Sequence, residues 1–120
     1  MIDMKTAMLS ALKDLPACTA ESYRREEHAL PLITVEDAQR SVLARVDGRP
    51  YLEHYQARVD VYAATPEERD LLFLQADAAL CDLGLVREST SADHDDTAYA
   101  YHQTIFYKAV LCGEWLYQEG

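Results

Sequence analysis

Tyr51-Leu52-Glu53-His54-Tyr55-Gln56-Ala57-Arg58-Val59-Asp60-Val61-Tyr62-Ala63-Ala64-Thr65-Pro66-Glu67-Glu68 changes its period from two to 3.6 within one short stretch. In its first part Tyr51, Tyr55, Ala57, Val59, Val61 and Ala63 alternate with Leu52, His54, Gln56, Arg58, Asp60 and Tyr62. That alternation predicts a strand with one buried and one wet face. Glu53 falls on the apolar side, so the start of the strand is expected to run past the core. The second part reads as a helix start. Thr65 is an N-cap, Pro66 takes the first helical position, and Glu68 completes a capping box three residues after the cap. Beyond it Leu72, Ala76, Ala79, Leu80 and Leu83 share one face, and Gly84 stands where a C′ glycine ends a helix, which predicts a helix over 66–83.

Working outward, Met4, Ala7, Met8, Ala11, Leu12 and Leu15 fall at helical spacing, with Asp3 as N-cap and Pro16 as the stop, so a helix is expected over about 3–15. Residues 17–29 are polar and irregular, with Tyr23 a candidate for a short edge strand. Pro31 then opens Leu32-Ile33-Thr34-Val35-Glu36-Asp37, rich in β-branched residues, and Val42-Leu43-Ala44-Arg45-Val46 continues toward Asp47-Gly48. Asp-Gly is a hairpin turn signal, and Pro50 close behind it suggests a loop longer than two residues. After the second helix, 85–88 lead into a short strand and 89–96 read as a polar loop. Tyr99, Tyr101, Ile105, Tyr107, Ala109 and Leu111 then alternate along a long final strand over 99–112. The sum is one α+β domain over residues 1–120, a mainly antiparallel sheet of about four strands with two helices packed on one face.

The chain has 120 residues, 21 acidic and 11 basic side chains, and a net charge of −10. Such a balance repels a phosphate backbone and disfavours conventional nucleic-acid binding. Acidity also keeps a small domain in solution, so solubility alone is one sufficient reading. No apolar run reaches the length of a membrane span, and Met1-Ile2-Asp3-Met4-Lys5 lacks the basic region and unbroken apolar stretch of a secretory signal. No membrane partner is expected. Cys18, Cys81 and Cys112 are odd in number and widely spaced, which argues against a disulfide framework or zinc site; Cys81 and Cys112 read as small buried apolar groups.

Candidate chemistry is sparse. Asp93, His94, Asp95 and Asp96 are the densest set of metal-ligand types, but the glycine and downstream Glu of a calcium loop are missing, so a solvated acidic loop is the simpler reading. His28, His54 and His102 have no metal-ligand spacing, although His54 and His102 fall on strand faces that can neighbour each other. Cys112 with His102 makes a formal nucleophile pair, yet a thiol in an apolar strand is normally inert. No GxSxG, P-loop or GxGxxG is present. No catalysis, cofactor or metal is expected. The 8 tyrosines against 2 phenylalanines are a different signal, since tyrosine suits half-wet strands and is enriched at protein interfaces.

The order of these segments resembles the small tail-terminator or tail-completion proteins of long-tailed bacteriophages and prophages. The resemblance rests on the helix of Met4, Met8, Leu12 and Leu15, the Pro31-Leu32-Ile33-Thr34-Val35 strand, and the Asp47-Gly48 turn. It continues through Val59-Asp60-Val61-Tyr62, Thr65-Pro66-Glu67-Glu68, Leu80 to Leu83-Gly84-Leu85, and the tyrosine-rich last strand. It implies a non-catalytic virion subunit that forms a homo-oligomeric, hexameric ring at the head-proximal end of the tail, assembled in the bacterial cytoplasm. Its implied partners are the major tail tube protein and the head-completion proteins, with DNA only as cargo passing through an acidic lumen. The subunit-interface candidates are Arg45, Asp47, Arg49, Tyr51, Tyr55, Tyr62 and Tyr101. Residues 114–120 depart from a plain strand ending. Three other readings stand beside this one: another small neck protein of the same particle, an α+β ligand- or protein-binding module, and, least favoured, an enzyme using the Asp93–Asp96 or histidine groups.

Overall fold

The computed structural model describes residues 4–15, 18–20, 31–46, 48–95, 100–112 and 115–117. Helix α1 (Met4–Leu12) is followed by β1 (Cys18–Ala20), β2 (Leu32–Val46) and β3 (Arg49–Ala63). Helix α2 (Pro66–Leu83), β4 (Val86–Asp95), β5 (Ala100–Cys112) and β6 (Trp115–Tyr117) complete the chain. Neighbouring strands run in the order β1-β2-β3-β5-β4, with β6 paired to β5. The four long strands are mutually antiparallel, and only β1 lies parallel to its neighbour. Both helices pack on one face of this sheet, as the α+β reading expects.

The inward side chains of the strands and the inner stripes of the helices make one core. Ile33 and Val35 from β2, Tyr55, Ala57, Val59 and Val61 from β3, and Ile105, Tyr107 and Leu111 from β5 meet Met4, Met8 and Leu12 of α1 and Leu72, Ala76 and Leu80 of α2. Each fully buried large apolar side chain there stabilises the fold by roughly 1.5–3 kcal/mol before the entropy of ordering is counted. Helix α2 begins and ends as its residues dictate. Thr65 accepts a hydrogen bond from the Glu68 amide at 3.2 Å, while the Glu68 carboxylate accepts from the Ala64 amide at 3.3 Å, so the return bond falls one residue earlier than in an ordinary capping box. Gly84 closes the helix at φ 115, donating to Cys81 O at 3.0 Å as Leu85 donates to Leu80 O at 3.1 Å.

Three expectations need correction. Helix α1 stops at Leu12, and Lys13 and Asp14 form a turn in which the Leu15 amide reaches Leu12 O at 3.1 Å. The segment before the Asp-Gly turn is one strand, as expected, bent at register shifts between Asp37 and Gln39 and between Val42 and Ala44. Val46 pairs with Arg49, so the hairpin turn is two residues long rather than longer, and Gly48 supplies its positive φ of 77. Pro50 is tolerated because it faces the register shift between Ala44 and Arg45, where the ladder is already interrupted. The expected polar loop over 89–95 is instead most of β4. Its Ser, Thr and Asp residues suit an edge strand, where one side meets water and a hydrophilic sequence discourages pairing with other chains.

Candidate functional site

The sheet face away from the helices carries a polar cluster built from three strands. Registry sets Thr34, Asp60 and Thr104 side by side, with Leu32, Tyr62 and His102 in the next row and Glu36, Arg58 and Phe106 in the row on the other side. Asp60 is only 5 % exposed although it sits on the face expected to be wet. His102 Nε2 lies 2.6 Å and Thr104 Oγ1 2.7 Å from its Oδ1, while Arg58 Nε donates to its Oδ2 at 3.0 Å. The Tyr62 ring stacks on the His102 imidazole at 4.5 Å between centroids and 5° between planes. Burial alone would raise the Asp60 carboxyl pKa, but the bonds from His102, Thr104 and Arg58 hold it below its ordinary value.

This cluster resembles a nucleophile relay in composition and differs from one in geometry. A relay uses one imidazole nitrogen for the carboxylate and the other for the hydroxyl. Here Thr104 Oγ1 lies 3.2 Å from the same Nε2 that meets Asp60, and it donates to the same Asp60 oxygen. The hydroxyl is tied to the carboxylate and is not poised against a base. The arrangement is a brace across β3 and β5.

A second cluster joins α2 to the sheet edge. Tyr107 OH donates to Asp77 Oδ1 at 2.8 Å, Arg87 Nη1 meets Asp77 Oδ2 at 3.4 Å, and the Arg87 guanidinium lies 5.2 Å from the centroid of the Phe73 ring. Burial, then the Asp77 carboxylate, pushes the Tyr107 hydroxyl pKa far up, so it stays a donor. Cys81 is exposed, which corrects its reading as a buried apolar group. Partial desolvation and Asp77 raise its thiol pKa, and a protonated thiol is a poor nucleophile.

The other chemical candidates separate in space. His54 pairs with Val110 and His102 with Tyr62, so the two histidines share a face but lie eight residues apart along β3, about 26 Å at the usual strand rise. His102 and Cys112 are ten residues apart on β5 and cannot meet, by the same rise. The backbone of Asp93, His94 and Asp95 lies in β4, while the placement of their side chains and of Asp96 is outside the described residues, as is His28. Among the described residues no group of three metal-ligating side chains converges, and no helix is long and apolar enough to cross a membrane.

No protein-family model matches the chain, and no curated protein sequence matches it.

The interface candidates fare unevenly. Arg45 is exposed beside the hairpin turn, its Nη1 3.4 Å from Gly48 O. Asp47 lies outside the described residues, and Arg49 and Tyr51 are placed in β3 only by backbone. Tyr101 is half-buried, and Tyr62 is 8 % exposed over His102. Tyr55 is a correction. It is 0 % exposed, its hydroxyl donates to Asp37, and Arg40 covers its ring at 5.4 Å, so it belongs to the core of its own chain. Glu53, the misfit in the alternation, is held by Arg40 at 3.5 Å.

Two apolar surfaces were not singled out from the residue pattern. Val42 and Leu43 on β2 are 39 % and 58 % exposed, and Leu71 and Leu74 on α2 are 56 % and 63 % exposed. Leu71, Leu74 and Ala78 form a second apolar stripe on α2, opposite the one that packs on the sheet. The signal was present, because a helix with apolar residues on two faces ordinarily contacts something on each.

Proposed function

We propose that this chain is a structural subunit of a tail-terminator ring, which caps the tube of a long-tailed phage and offers the surface that joins the head. The observation that carries the reading is the β2 and β3 hairpin. Leu52 opposite Cys112 is the last row that β5 reaches, and past it the hairpin continues as two strands, with Val42 and Leu43 exposed close by. A chain 50 Å long and 29 by 24 Å across, with exposed apolar residues on β2 and a second apolar face on a helix, has the anatomy of a self-assembling part. The polar clusters are satisfied internally, which supports a role without a chemical step. A net charge of −10 suits a lumen through which DNA passes without adhering.

Size-exclusion chromatography with light scattering, followed by negative-stain microscopy, tests the proposal. A ring of about six copies is expected. Adding the protein to a polymerising tail-tube subunit should arrest tube length. Rings that leave the tube growing but bind head-completion proteins would move the subunit to the neck. A strict monomer at every concentration, with and without tube protein, would end the ring reading.

A further inference from the structure

We draw no further inference here: the strongest candidate, the apolar stripe of Leu71, Leu74 and Ala78 on the face of α2 turned away from the sheet, carries none, because nothing in the structure shows what covers it.

Discussion

Asp60 is held on its two oxygens by three residues, Arg58 with two nitrogens, while almost excluded from water, and its value to the fold follows from what its loss would strand. Asp60→Ala leaves the His102 and Thr104 polar atoms without their shared acceptor and Arg58 without its bidentate partner. Denaturant unfolding should show a loss of about 2–4 kcal/mol. The pH dependence has a definite sign. The Asp60 pKa is lower folded than unfolded, so in mild acid the unfolded chain binds the extra proton and stability rises with pH. This contribution is complete above the ordinary carboxylate value of about 4 and is lost as pH falls through the lower folded value. Unfolding curves between neutral pH and pH ~3 should therefore be steeper in wild type than in Asp60→Asn. Tyr107→Phe asks a smaller question, since Arg87 still meets Asp77; a loss of about 1 kcal/mol is expected. None of this network was legible beforehand. Alternation places Asp60, Tyr62 and His102 on the outward face, and it cannot say that an outward row is itself nearly closed to water.

Helix α2 and the hairpin turn show which elements a one-dimensional pattern can specify. The limits of α2 are local chemistry, a hydroxyl cap, a proline and a left-handed glycine, so its predicted range of 66–83 coincides with the structure. Thr65→Ala should cost about 1 kcal/mol in thermal unfolding. Gly48 offers a cleaner measurement, because a Cβ added there meets nothing within 4 Å. Any loss on Gly48→Ala is then the conformational cost of φ 77 alone, about 1 kcal/mol, and Gly48→Asn should recover most of it. Elements defined by pairing were less legible. Ser89-Thr90-Ser91-Ala92 has loop composition, and it becomes strand because β5 supplies a complete ladder and Gln103 donates to Thr90 at 3.1 Å. The misplaced Tyr55 has the same origin. A tyrosine signals interface on composition, but here Asp37 satisfies its hydroxyl inside the chain.

For the molecule as a whole, the fold divides stability unevenly along its 50 Å length. Beneath the helices, Ile33, Val35, Val59 and Val61 are fully buried, whereas Ser41, Val42, Leu43 and Arg45 are exposed, and among the described residues the last rows of the hairpin have no partner on β5. Local opening should follow that gradient. Amides with few buried apolar contacts open at a small fraction of the global unfolding energy, and those in the core open only with it. Hydrogen exchange on dilute, monomeric protein should therefore find the backbone of 42–46 exchanging at least a hundredfold faster than that of 57–61. On assembled protein residues 42–46 should gain protection if copies meet at that end of the sheet, while 57–61 stay unchanged. Protection appearing along β4 instead would mean that copies meet at the opposite edge of the sheet. Two strands alone are marginally stable, so the rows Arg45–Pro50 and Val46–Arg49 past Cys112 are where the sheet's order is expected to rise most on assembly.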